Sequence, residues 1–359
     1  MKAIVRRDRR LVTDDIAEPT PGPGQVLVKT LVCGICGSDL HALHHLEHMV
    51  ETNLRAGAAD TLDPSADIVF GHEFSAEILD HGPETARTLK PGTRVVSVPM
   101  ALGPGGVELV GYSNRYPGGF AERMLLQEAM LLPVPNGLSA EAAAMVEPMA
   151  VGEHAVGKAN PGKNSVCLVV GCGPVGLAVI AALKARGLGP VIASDFSEAR
   201  RRMAEVMGAD IVVDPSASSP HAHWEAFDVP ATLASFGAAR LMGRSMRDAI
   251  VFECVGVPGL IQSLMEAVPP TARIVVVGVC MEDDRITPVL AINKQLSLDF
   301  VFAYSPEEFA ATLQRVADGT IDVAPLISGV VGRSGVPAAF EALGKAGGPV
   351  KLMVNPALD

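Results

Sequence analysis

Cys36, His72 and a glutamate supply a thiolate, an imidazole and a carboxylate, the side chains with which proteins hold a catalytic zinc ion. Such a site uses three protein ligands and leaves a fourth position for water or substrate. Cys33, three residues before Cys36, makes a Cys-X-X-Cys pair that by itself has structural, redox and metal-binding readings. A second constellation is Gly171-Cys172-Gly173-Pro174-Val175-Gly176. Glycines at this spacing serve a dinucleotide: the first makes a tight turn, the second lets backbone approach a pyrophosphate, and the third lets a helix pack on a strand. Asp195 lies about 20 residues beyond, where a carboxylate accepts from both ribose hydroxyls and repels a 2′-phosphate. NAD is therefore expected over NADP. Of Arg200, Arg201 and Arg202, Arg200 is kept as a cofactor-binding candidate, and the run otherwise reads as a solvated helix face.

These residues need elements to hold them. Val166–Val170 reads as a buried strand and Val175–Arg186 as the helix after the glycine turn, whose unpaired N–H groups face the phosphates. Val191–Ser194, Glu198–Met207, Ile211–Val213, Ile250–Glu253 and Arg273–Val277 continue the alternation of strand and helix, which implies a parallel sheet. Before residue 148 the pattern differs. Short β-like runs such as Gln25–Thr30 and Thr93–Val98 are punctuated by Pro and Gly, as in a mostly antiparallel barrel or sandwich.

The order of short motifs is more specific than any one of them. Gly34-Ile35-Cys36-Gly37-Ser38-Asp39-Leu40-His41 precedes Gly71-His72-Glu73, Gly118-Gly119-Phe120-Ala121-Glu122, Glu147-Pro148-Met149-Ala150 and the glycine fingerprint. The chain resembles the zinc-dependent medium-chain alcohol dehydrogenases over nearly its whole length. It is most similar to the polyol (sorbitol-type) branch, which has Glu-Pro where liver-type enzymes have a ligand Cys.

The resemblance implies an α/β protein: a GroES-like β-barrel catalytic domain over 1–148, completed by 302–359, and a Rossmann doubly wound parallel sheet over 149–301. It implies zinc on Cys36 and His72 with Glu73 or Glu147, either glutamate being the inner ligand. Asp39 would fix the His72 tautomer. Ser38 would take the proton of a zinc-held alcohol and pass it through the cofactor ribose to His41, while hydride leaves for NAD. Lys351 would reach the cofactor phosphates, and Cys33 would not be a ligand. Many relatives carry four closely spaced Cys for a structural zinc. Ala101–Gly111 has none, so one zinc per chain is expected. The stretch from Cys36 to His72 is longer than usual and holds His41, His44, His45 and His48, which helical spacing puts on one face. Oxidation of a hydrated aldehyde is the competing reading within enzymes. A silent NAD-binding protein is the competing reading outside them, and Ser38 and His41 speak against it.

Composition narrows the class. At 359 residues, two domains are the natural expectation. The balance of 29 basic against 40 acidic residues gives a net charge of −11, which disfavours nucleic acid as a partner. No run approaches a membrane span, and the charged start Met1–Arg7 does not read as a signal peptide, so a cytoplasmic location is expected. The remaining partner is a small alcohol or carbonyl compound. Arg273–Val277 and Leu298–Phe302 are expected at an exposed sheet edge that joins a homodimer or homotetramer.

Overall fold

The computed structural model describes residues 1–359 apart from Asp60, Asn136 and Ala346. The chain forms two compact units, Met1–Glu147 with Phe309–Asp359, and Pro148–Glu308. The second crossing was expected after residue 301 and falls after Glu308. The start of helix Pro306–Ala317 stays with the second unit because Glu308 accepts from Ser305 N–H at 2.7 Å and lies 2.8 Å from His154 Nδ1.

The second unit is a six-stranded parallel sheet among the described residues. Its order is Ile211–Val213, Val191–Ser194, Ser165–Val170, Asp248–Glu253, Arg273–Val276 and Ser297–Phe300. The strand Ser165–Val170 is apolar from Val166 onward because both its faces are covered. Val166 and Leu168 join a core with Trp224, Leu264 and Met265, while Cys167 and Val169, also buried, point to the other face. Strand order reverses between Ser165–Val170 and Asp248–Glu253, and ligands of such sheets bind at the carboxyl ends of strands at that point. One expectation is corrected. Arg273–Val276 is not an edge, since it pairs with a neighbour on each side; Ser297–Phe300 alone ends this side of the sheet.

The first unit is built on a mostly antiparallel sheet. Its order is Ile327–Val331, Lys351–Val354, Gln25–Gly34, Glu73–His81, Arg94–Ser97 and Leu131–Pro133, with Arg123–Gln127 also on Gln25–Gly34. The long strand Gln25–Gly34 shifts register twice against Glu73–His81, between Leu27 and Val28 and between Thr30 and Val32. Such bulges coil a sheet and let one strand serve different neighbours along its length. Here residues 25–29 pair with Arg123–Gln127, and the far end, Cys33 and Gly34, with the terminal strand. No helix among the described residues is long and apolar enough to cross a membrane.

Candidate active site

Four segments of the first unit meet at Gly34. The strand Gln25–Gly34 ends there, and Cys36 follows as the N-cap of helix Gly37–Arg55. Gly34 pairs with Glu73, so His72 and Glu73 enter beside it, and it also pairs with Met353 of the terminal strand. Glycine leaves room at this junction, because a Cβ there would stand 2.1 Å from Glu73 Oε2 and force that side chain to move. Glu147 arrives from the first turn of helix Val146–Ala159. The ligand atoms of Cys36, His72 and Glu73 all lie within 4.8 Å of one another.

Surrounding groups orient these donors. Asp39, with no exposed surface, accepts from the Cys36 backbone N–H through Oδ2 at 3.0 Å, and its Oδ1 is 3.6 Å from His72 Nδ1. That nitrogen is buried without a hydrogen-bond partner, so Asp39 is the group that can fix the tautomer and leave Nε2 for a metal. Burial raises the Asp39 pKa, against the influence of His72 and the Cys36 N–H. Burial opposes a charge on His72, yet Asp39, Cys36 and Glu147 outweigh it and hold its pKa well above the ordinary value. Tyr112 closes one side, with its ring 5.5 Å from that of His72 and its hydroxyl 3.0 Å from both Ser38 Oγ and Asp39 Oδ1. Nothing in the sequence marks Tyr112 beyond its being one of three tyrosines.

Lys351 is corrected. Its ammonium is 1% exposed and donates to both Glu73 carboxylate oxygens at 2.8 and 2.6 Å and to Ile35 O at 3.1 Å. Three donors meet three acceptors inside the first unit, and none is left for a phosphate. Burial acts to lower the Lys351 pKa, but Glu73, Cys36 and Glu147 raise it overall. Two carboxylates and a thiol thus act on one ammonium, and with His72 beside Cys36 this donor set fits a dication of the zinc type.

Cys33 lies apart from this set. It is fully buried, and Cβ atoms at Gly71 or Gly119 would meet its Sγ at 2.8 and 2.7 Å. Cys33→Ser is therefore expected to leave zinc content near one per chain while lowering thermal stability; elemental analysis showing loss of the metal would make it a ligand. Helix Gly37–Arg55 carries His41, His44, His45 and His48 on its exposed side, with a kink at His45, which is non-helical at φ −125°, ψ 26°. His41 is exposed, and among the described residues Cys36, His72 and Glu73 are the one group placed to hold a metal.

In the second unit the glycine fingerprint takes the form its spacing requires. Gly171 turns the chain at φ +91°, and a Cβ on Gly176 would stand 1.8 Å from Gly171 O, so helix and strand touch through backbone. A Cβ on Gly173 would meet nothing within 4 Å, which leaves the open approach a pyrophosphate needs. Pro174 and Val175 open the helix with no side chain capping its N-terminus, so those N–H groups remain for an anion. Asp195 accepts from Cys172 N–H at 2.8 Å and Ser197 N–H at 2.7 Å, which aims its carboxylate at the turn. Arg201 is spent on Asp195 O, Phe196 O and Asp214, and Arg202 on Glu198. Arg200 comes within 4.0 Å of the Asp195 carboxylate and keeps a buried Nε without a partner.

A barrel-like unit that gathers a thiol, an imidazole and carboxylates, followed by a dinucleotide-binding sheet, defines a metal-assisted oxidoreductase. Comparison with known proteins agrees. Residues 22–136 match the alcohol dehydrogenase GroES-like domain, and residues 174–318 match the zinc-binding dehydrogenase family. The chain is 31% identical over 352 residues to (R,R)-butanediol dehydrogenase of Bacillus subtilis, 96% of each chain. It is 28% identical over 351 residues to sorbitol dehydrogenase of Bos taurus, 94% of this chain and 90% of that one. The crystal structure of the Bacillus subtilis 2R,3R-butanediol dehydrogenase superimposes with a TM-score of 0.78 at 29% identity, over 99% of both chains. The chain belongs to the zinc-dependent alcohol dehydrogenase family, polyol branch included.

Proposed function

We propose that this enzyme oxidises a secondary alcohol of a small diol or polyol with NAD, and reduces the matching ketone in reverse. The observation that carries the reading is the convergence of Cys36, His72 and Glu73 within 4.8 Å beside Ser38. The substrate class is supported by relatives named for butanediol, sorbitol and L-idonate. Zinc, when bound, lowers the pKa of an alcohol oxygen, and NAD accepts the hydride. The chain does the rest. Cys36 and His72 would hold the metal with Glu73 or Glu147, and Lys351 would hold Glu73 whenever Glu147 is the ligand. Ser38 Oγ accepts the hydroxyl proton as its own proton passes on toward His41. His41, one turn along the same helix, hands it to water. Desolvation of its ring, with His45 beside it, lowers its pKa and favours release of the proton. Gly171, Gly173, Pro174, Val175 and Gly176 seat the pyrophosphate, and Asp195 takes the adenosine ribose.

A panel of secondary and primary alcohols, polyols and hydrated aldehydes, followed by NAD reduction, tests this. Secondary alcohols are expected to show kcat/KM at least about tenfold above primary ones, the discrimination that one misplaced group in a fitted pocket gives. Faster turnover of aldehydes would move the activity to the competing class.

The same reading extends to assembly. Ser297–Phe300 leaves a sheet edge open, and Phe300, Phe302 and Ile292 are 70%, 85% and 72% exposed around it. Edges and apolar patches of this kind favour pairing with a second copy. A homodimer or homotetramer joined there is expected in sedimentation, with Phe302→Asp shifting it toward monomer. A wild-type monomer at micromolar concentration contradicts the proposal.

A further inference from the structure

The crevice where strand order reverses is floored by three turns, each following a strand at the centre of the parallel sheet. Gly171 and its neighbours follow Ser165–Val170, residues 254–256 follow Asp248–Glu253, and residues 277–279 follow Arg273–Val276. The turns meet closely. A Cβ on Gly171 would stand 2.6 Å from Val255 Cγ2, and one on Gly278 would stand 2.4 Å from Gly256 N. One on Gly256 would stand 2.5 Å from Val279 O. Glu253 is the residue that ties them. It is 1% exposed and ends the middle strand, opposite Val170 on one side and Val276 on the other. Its Oε1 accepts from the N–H groups of Val255 at 2.7 Å and Gly256 at 2.8 Å. Its backbone oxygen accepts from the N–H groups of Val277 and Gly278, both at 2.9 Å. One residue thus gathers four N–H groups from two of the turns, and Val255 leans on the third.

A glutamate with no task at the end of a strand belongs in water, and full burial of one calls for partners. Burial raises the Glu253 pKa, although the Gly256 and Val255 N–H groups act to lower it. Those two hydrogen bonds fall on Oε1, while Oε2 has no partner among the described residues. We infer that Glu253 is a positioning residue for the dinucleotide: it fixes the turn beside Gly171 and thereby the surface on which the cofactor rests. Val255 and Val279, 44% and 54% exposed, are the apolar side chains that this arrangement presents to the crevice. The inference rests on the reading of the crevice as the NAD site, and adds a residue outside the glycine fingerprint. Without the acceptor, the Val255 and Gly256 N–H groups must turn toward water, and the turn loses the single conformation that suits a ligand.

Titration of the zinc-loaded enzyme with NADH, beside steady-state kinetics, tests the inference. Glu253→Leu removes the acceptor and is expected to raise the NADH Kd and the KM for NAD about tenfold. Zinc content and the alcohol KM at saturating NAD should stay as in wild type. Glu253→Gln keeps an oxygen for both N–H groups and puts its amide where Oε2 has no partner, so its Kd should stay within about threefold of wild type. Glu253→Asp, whose carboxylate is one methylene short of both N–H groups, should bind NADH at least about fivefold more weakly than Glu253→Gln. That comparison carries the test where Glu253→Leu does not fold. A structural role alone would lower the melting temperature and leave the NADH affinity of the folded variants unchanged. That result overturns the inference, as does Glu253→Gln binding NADH as weakly as Glu253→Leu or Glu253→Asp. Wild-type enzyme that binds no NADH overturns the reading of the crevice and the inference with it.

Discussion

Cys36→Ser is expected to empty the metal site and lower kcat by roughly four orders of magnitude or more. Zinc brings the pKa of a bound water from 15.7 to about 7, and an alcohol gains comparably, so its loss removes the largest single contribution to the reaction. A serine oxygen at the helix start is a poor substitute for a thiolate toward zinc. Of the donors that remain, His72 is held by Asp39, and Glu73 already satisfies Lys351 through both oxygens. Elemental analysis should give one zinc per chain for wild type and almost none for the variant. Chelation of the wild-type enzyme should abolish turnover, and added Zn²⁺ should restore it. Two zinc ions per chain, or activity surviving full removal, would sink the assignment of the centre.

Exchanging Asp195 for Ser is expected to invert the preference between NAD and NADP. In wild type the Asp195 charge should lie close to any 2′-phosphate, and charge-assisted hydrogen bonds to ribose contribute about 1.5–3 kcal/mol each. NAD should therefore show a kcat/KM one to two orders of magnitude above that of NADP with the same alcohol. Once the carboxylate is gone, Arg200 is the cation that can meet the phosphate, because Arg201 and Arg202 are committed elsewhere. Arg200→Ala in the Asp195→Ser background should remove the gain for NADP. A wild-type enzyme that already favours NADP would mean that Arg200 outweighs Asp195.

Much of the cofactor unit was readable because buried parallel strands are written as continuous apolar runs. Val191–Ser194 and Ile211–Val213 lie where the pattern puts them, and Ser165–Val170 extends the expected strand by one residue. The strand beside an edge is written in the same letters as any other, so Arg273–Val276 could not be told from Ser297–Phe300. Lys351 shows a different limit. Its partner Glu73 is 278 residues away, and a lysine in a short apolar strand carries no mark of a buried acceptor. The periodicity did place the histidines on the exposed side of their helix, but nothing in it marked the kink at His45. Tyr112 follows a glycine-rich run, and only the packing of Gly111 on Gly71 decides where it points.

The route of the chain has a consequence for biosynthesis. The strand Gln25–Gly34 is made early, yet its end pairs with Lys351–Val354, which leaves the ribosome only after all of Pro148–Glu308. Until then Glu73 lacks its ammonium, and the pocket holds carboxylates with no internal cation. The cofactor-binding unit is continuous and can close while the first unit waits, in keeping with the way domains fold as units during synthesis. The metal site is thus completed only once Lys351 has been made, and a nascent chain stalled before residue 351 should lack the strand that pairs with Cys33 and Gly34.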